Sequence, residues 1–193
     1  MKIGVLALQG AFAEHISVLT GLNVDAIPVR LPHQLEGLDG LIIPGGESTT
    51  ITKLMAHYKL KNKIIDLAKA GFPIWGTCAG MIVLAGELSN ARGVKPTELM
   101  DIKVNRNAFG RQVDSFESEI SIPVLGKKPF TCVFIRAPLI ESVGKGVEVL
   151  GRLNGSTIVA ARQGKILVSS FHPELTDDPR FHHYFLDIVS GKV

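Results

Sequence analysis

The first half of the chain contains short runs with almost no polar side chain: Ile3-Gly4-Val5-Leu6-Ala7-Leu8, Ala26-Ile27-Pro28-Val29, Leu41-Ile42-Ile43 and Phe72-Pro73-Ile74-Trp75. A strand with one wet face alternates apolar and polar residues. A run without that alternation has to be covered on both faces. Helical spacing fills the gaps over residues 11–19, 50–58 and 61–70. Strands are predicted over residues 2–8, 24–29, 38–43 and 72–75. Buried strands alternating with helices imply a parallel sheet with helices packed on it.

The second half changes character. Residues 102–104, 117–122, 131–135, 148–153, 156–161 and 165–170 are short strand candidates, Gln163-Gly164 reads as a hairpin turn, and residues 179–189 read as a closing helix. No linker, repeat or low-complexity segment interrupts the chain. The expectation is a single α/β domain over residues 1–193, its mainly parallel sheet carrying an antiparallel extension. A chain of 193 residues is long enough for one substantial core.

Composition excludes several classes. With 46% hydrophobic and 20% charged residues, the chain is not of the disordered kind. No apolar stretch approaches the roughly 20 residues of a membrane span. The N-terminal apolar run is too short for a secretion signal and runs into the turn at Gln9-Gly10, so a cytoplasmic protein is expected. The net charge of +3 is scattered, and Lys59-Leu60-Lys61-Asn62-Lys63 reads as a solvated helix face. Neither a nucleic-acid nor a membrane partner is expected. Two cysteines, Cys78 and Cys132, make no disulfide framework. Cys132 lies in the apolar run of residues 130–135 and reads as core.

Cys78 differs. It stands in Gly76-Thr77-Cys78-Ala79-Gly80, after the run ending at Trp75 and before the apolar run Met81-Ile82-Val83-Leu84-Ala85, which reads as the start of a buried helix. A nucleophile on a sharp strand-to-helix turn is flanked by glycines that relieve crowding, and a helix N-terminus behind it favours a thiolate. The competing reading is a small core cysteine.

Two further loops follow apolar strands. Ligands in open parallel sheets bind beyond the carboxyl ends of the strands, where these loops would gather. In Pro44-Gly45-Gly46-Glu47-Ser48-Thr49-Thr50 the glycines permit close backbone approach, the Ser/Thr run offers helix caps, and backbone N–H groups can meet an oxyanion. The loop matches neither G-x-x-x-x-G-K-[ST] nor G-x-G-x-x-G, which disfavours nucleotides. Taken alone it is equally an ordinary tight turn. In Ser170-Phe171-His172-Pro173-Glu174, Pro173 pushes His172 towards extended backbone, where residues two apart project to one side. His172 and Glu174 then make the base-and-orienter half of a triad. The alternative is a half-exposed His-Pro turn. His15 and His57 fall on helices, His33 in a loop, and the adjacent His182 and His183 point apart. No cluster has zinc-ligand spacing, so no metal is expected.

Together these segments resemble class I glutamine amidotransferases: Gly76-Thr77-Cys78-Ala79-Gly80 matches their elbow, and His172-Pro173-Glu174 their His-x-Glu end. Leu8-Gln9-Gly10, residues 44–50, residues 106–116 and Phe134-Ile135-Arg136-Ala137-Pro138 stand in the order found in the glutaminase subunits of pyridoxal 5′-phosphate synthases. The resemblance covers nearly the whole chain and implies a flavodoxin-like three-layer domain that hydrolyses L-glutamine.

It implies Cys78, His172 and Glu174 as the triad, backbone N–H groups of Gly46 and Ala79 as the oxyanion hole, and Gly46, Glu47, Ser48, Arg106, Ile135 and Arg136 around the glutamine. Arg106 is assigned to the substrate carboxylate, since its guanidinium fork fits that group. Read without the resemblance, Arg106 and Arg136 are surface ion-pair formers. It further implies ammonia passed within a hetero-oligomer to a β/α-barrel synthase partner, with Gln9 at the interface. The chain itself would use no cofactor, pyridoxal 5′-phosphate being the product of the complex. A glutaminase serving another synthase, such as imidazole glycerol phosphate synthase, carries the same triad. A cysteine hydrolase on a similar fold is the alternative of a different class.

Overall fold

A computed structural model describes residues 1–106 and 115–193. Its elements, in chain order, are β1 (Lys2–Leu6), α1 (Phe12–Gly21), β2 (Asp25–Val29), β3 (Gly40–Ile43), α2 (Ser48–His57), α3 (Leu60–Lys69), β4 (Ile74–Thr77), α4 (Ala79–Leu84), β5 (Ala85–Leu88), β6 (Met100–Asn105), β7 (Ser115–Ile120), β8 (Phe130–Ile135), β9 (Leu139–Val143), β10 (Glu148–Leu153), β11 (Thr157–Gln163), β12 (Ile166–Ser169) and α5 (Arg180–Val189).

The large sheet runs β2-β1-β3-β4-β12-β11-β9-β6-β5, with β10 on the other edge of β11. From β2 to β12 every pairing is parallel. From β12 through β11 and β9 to β6 the pairings are antiparallel, and β5 returns parallel to β6. The expected α/β fold, mainly parallel with an antiparallel extension, is what the chain adopts. β7 and β8 form a separate antiparallel pair, from Ser115↔Ile135 to Ile120↔Phe130.

Burial explains the apolar runs. Every residue of β3, β4 and β12 is buried. Alternate residues feed two cores: Leu41, Ile43 and Ile74 pack with Ile51, Met55, Leu60, Ile64 and α4, whereas Ile42 and Trp75 pack with Leu19, Phe181 and Phe185. Helices α2, α3 and α4 therefore cover one face and α1 and α5 the other, which makes the three layers. Pro28 is tolerated because β2 pairs only with β1, and a proline lacks the N–H an interior strand needs.

Several boundaries differ from expectation. The first strand stops at Leu6, and the fourth runs Ile74–Thr77 rather than 72–75. The helix after Cys78 begins at Ala79 and ends at Leu84; from Ala85 the backbone is strand, Ala85 pairing with Met100. β5 and β9 were not expected. Both are short and partly exposed, so neither a continuous apolar run nor clean alternation marks them. The hairpin joining β11 to β12 is there, but Gln163 is its last strand residue, paired with Ile166, and the turn is Gly164-Lys165, with Gly164 at φ +57.

Candidate active site

Neighbouring parallel strands deliver the loops singled out in the sequence. β1 leads to Gln9-Gly10, β3 to Gly45-Gly46-Glu47, β4 to Cys78 and β12 to His172, all at the carboxyl edge of the sheet. Cys78 has φ 48° and ψ −105°, a backbone conformation that side chains avoid. Its N–H donates to Ser169 O at 2.8 Å, and its carbonyl accepts from Met81 N at 3.1 Å. Gly76 and Gly80 let the turn close on itself: a Cβ on Gly76 would stand 2.5 Å from the carbonyl carbon of Gly80. α4 is a single short helix of 6 residues, so its dipole adds little beyond the first turn.

Gly45 explains how the other loop comes so near. A Cβ there would lie 3.3 Å from Cys78 Cβ and 3.0 Å from His172 Nδ1, so both side chains border the same narrow gap. His172 is buried, with its backbone N–H donating to Val133 O of β8 at 2.8 Å. Its Nδ1 is 2.7 Å from Glu174 Oε1. The expected route to that bond was an extended stretch. Instead Glu174 sits in a 3₁₀ turn, Pro173–Leu175, that begins directly after His172.

Burial works to lower the His172 pKa, but the hydrogen bond to Cys78 and that to Glu174 outweigh it and raise it to about 10. Burial likewise works to raise the Glu174 carboxyl, and the facing His15 and the His172 hydrogen bond hold it below its ordinary value. Burial pushes His15 itself below the usual histidine range despite Glu174.

A cavity of about 370 Å³ opens beside His172, lined by Gln9, Gly46, Glu47, Ser48, Ile82, Arg106, Ile135 and Arg136. That volume suits a small metabolite. Every residue expected around glutamine lies on this wall, and so does Gln9, which was expected only at an interface. Arg106 is already engaged: Nη1 donates to Ala91 O at 2.8 Å, Nη2 to Thr49 Oγ1 at 3.4 Å, and Glu47 Oε1 is 3.7 Å away. Its Nε is buried without a partner among the described residues. Of the motif spanning residues 106–116, residues 107–114 lie outside the described residues.

The helix cap was expected from the Ser/Thr run and comes from Glu47. Its carboxylate accepts from Thr49 N at 3.0 Å and Thr50 N at 2.6 Å, and these bonds with the Thr50 hydroxyl outweigh burial and hold its pKa at about 2. The Glu47 N–H donates to Gln9 Oε1 at 2.6 Å. Ala79 opens α4 immediately after the thiol. Among the described residues, no group of His, Cys, Asp or Glu is placed to hold a metal ion.

Sequence reasoning missed two residues beneath the site. His15 of α1 and His182 of α5 are fully buried behind Glu174, against Trp75. Their helices give no sign of it, because the contact spans 167 positions of sequence.

The profile described as the SNO glutamine amidotransferase family matches residues 5–190. A Dehalococcoides mccartyi protein named pyridoxal 5′-phosphate synthase subunit PdxT is 59% identical over 190 residues, covering 98% of this chain and 97% of its own. A Herpetosiphon aurantiacus protein of the same name is 58% identical, with coverage of 97% and 100%. A solved structure described as a glutamine amidotransferase superposes with a TM-score of 0.92 at 49% identity, covering 97% of this chain and 98% of that one. A Thermoplasma acidophilum protein described as a putative GMP synthase subunit shares the fold, with a TM-score of 0.70 at 18% identity over 100% and 95% of the two chains.

Proposed function

The chain belongs to the SNO glutamine amidotransferase family, and we propose that it is the glutamine-hydrolysing subunit of a pyridoxal 5′-phosphate synthase. The observation that carries the reading is the convergence of Cys78, His172 and Glu174 beside a cavity walled by Arg106 and Arg136.

In this reading Cys78 Sγ attacks the side-chain carboxamide carbon of L-glutamine. His172 takes the thiol proton as the sulfur attacks. Glu174 holds Nδ1–H and keeps Nε2 towards the thiol. Backbone N–H groups of Gly46 and Ala79 meet the tetrahedral oxyanion, each such donor typically contributing roughly 3–4 kcal/mol. The collapsing intermediate breaks the carbon–nitrogen bond, and His172 gives the leaving nitrogen its proton. The resulting γ-glutamyl thioester is attacked by water, whose proton passes to His172. Glutamate leaves and the thiol is regenerated.

Arg106 and Arg136 place the α-carboxylate, with Glu47, Ser48 and Ile135 completing the pocket. Ammonia is a nucleophile only while unprotonated, which favours direct delivery to a docked synthase, a β/α-barrel protein. Gln9 belongs to the side on which that partner covers the pocket. Pyridoxal 5′-phosphate is the product of the complex and needs no site on this chain. No helix among the described residues is long and apolar enough to cross a membrane, and a cytoplasmic location fits the substrates.

Ammonia release from L-glutamine, measured with and without the co-purified synthase, tests the proposal. Weak release alone and strong release in the complex are expected. Cleavage of a peptide panel without glutamine turnover would overturn it.

A further inference from the structure

Glu174 has two carboxylate oxygens, and His172 uses one. Oε1 is 2.7 Å from His172 Nδ1. Oε2 is buried and has no well-aligned hydrogen-bond donor among the described residues. A lone buried carboxylate oxygen is costly. The group nearest to meeting that need is His15 Nε2, 3.3 Å away and shared with Thr77 Oγ1 at 3.3 Å. On the far side of the same ring, His15 Nδ1 is 3.0 Å from His182 Nε2. Both histidines are fully buried.

One hydrogen lies between the two imidazoles, and its owner decides the rest. If His15 Nδ1 carried it, the His15 Nε2 lone pair would face the Glu174 carboxylate. His182 Nδ1 would then be an N–H buried without an acceptor among the described residues. Both features are unfavourable. If His182 Nε2 carries it, His15 Nε2–H points at Glu174 and Thr77, and the unpartnered atom is a bare lone pair, which costs less. Electrostatics therefore selects the second arrangement. The N–H dipoles of both rings then run from α5 through α1 towards the side on which the carboxylate lies.

We propose that His15, held by His182, is a positioning residue for the triad: its Nε2–H, hydrogen-bonded to Thr77 Oγ1, turns its positive end to Glu174 Oε2 at 3.3 Å and so steadies the carboxylate that orients His172. The proposal rests on the glutaminase reading of the site. The groups facing His15 are Glu174 and His172 from the loop after β12, His182 from α5, and Glu14 on its own helix. Burial keeps both His15 and His182 below the ordinary histidine range, so the row adds a directed dipole and no net charge.

The assembled enzyme with His15→Phe keeps a ring of similar shape and lacks the donor, whereas His15→Gln restores an N–H near the same place. The expected result for His15→Phe is a fall in kcat on the order of tenfold to a hundredfold with KM for glutamine little changed, as for loss of a polar contact to a charged group. The acid limb of kcat/KM should move to higher pH by about one unit, because Glu174 then protonates more easily. His15→Gln should recover most of both. An unchanged acid limb in His15→Phe, or no recovery in His15→Gln, overturns the proposal.

Imidazole ¹⁵N shifts of the wild-type protein read the same arrangement without any substitution, and decide the matter if His15→Phe does not fold. Neutral Nε2–H tautomers at both His15 and His182 are expected, and an Nδ1–H tautomer at His15 overturns the proposal. Absence of ammonia release by the wild-type complex would instead sink the glutaminase reading, and the tautomers would still report the row.

Discussion

The N–H of Cys78 donates to the carbonyl of Ser169 at 2.8 Å, tying the backbone of Cys78 to the strand that delivers His172. Thr77 and Ser169 are register partners in β4 and β12, so the thiol and the imidazole leave adjacent parallel strands side by side. The meeting of two residues far apart in sequence is thus a consequence of strand order.

The strain at Cys78 predicts an inversion of the usual rule for glycine. At φ 48° a Cβ-bearing residue costs roughly 1–3 kcal/mol, more than the 0.5–1 kcal/mol that glycine's freedom costs in the unfolded chain. Cys78→Gly should therefore be more stable than Cys78→Ala by about 1 kcal/mol in urea titrations. Both should release no ammonia from glutamine. Equal midpoints for the two variants would show that the elbow is not strained.

Acid should weaken the fold through the buried histidines. His182 is held at about 2 by burial and by His15 and His183, against 6.5 unfolded. Above pH 6.5 both states leave it neutral, and no stability depends on it. Below that, the unfolded chain takes up a proton that the folded chain refuses, so stability falls as pH falls. One such group contributes a slope of about 1.4 kcal/mol per pH unit. Urea unfolding of His182→Phe between pH 6 and 4 (roughly this window) should show a slope shallower by that amount. Parallel curves would mean that His182 is not buried as a neutral ring.

The strands that carry the site were legible because burial on both faces leaves continuous apolar runs at β1, β3 and β4. The elbow was legible because Gly76 and Gly80 mark where backbone passes backbone. Other features depend on tertiary partners. β9 has the pattern of a half-wet edge, and only its neighbours β11 and β6 make it a strand. Glu47 displaced the Ser/Thr run as cap because its carboxylate reaches both Thr49 and Thr50 N–H groups from outside the helix. His15 and His182 meet only because α1 and α5 cover the same face, which no local pattern encodes.

Arg106 should act on binding more than on chemistry. Its Nη1 is anchored on Ala91 O, which holds the guanidinium at the cavity wall. Lysine keeps the charge and loses the fork. Arg106→Lys should raise KM for glutamine about tenfold, with kcat changed far less, as expected when a contact equal in ground and transition states is weakened. A drop in kcat at unchanged KM would place Arg106 in the chemical step instead.

Gln9 should control one amide and spare its neighbour. Its Oε1 accepts the Glu47 N–H at 2.6 Å and clamps the loop after β3 to the loop after β1. The Thr50 N–H depends on the Glu47 carboxylate, at 2.6 Å, and not on Gln9. In Gln9→Ala the Glu47 amide therefore loses its acceptor while the helix cap persists. Hydrogen exchange followed by NMR should show the Glu47 amide exchanging at least about tenfold faster and the Thr50 amide nearly unchanged, since breaking one hydrogen bond removes roughly 1 kcal/mol or more of local protection. If both amides accelerate together, the cap and the clamp are a single cooperative unit and the loop after β3 is held from β1 as a whole. If neither does, the Gln9 contact contributes nothing to the loop's order, and its place over the cavity has to be explained by ligand or partner alone.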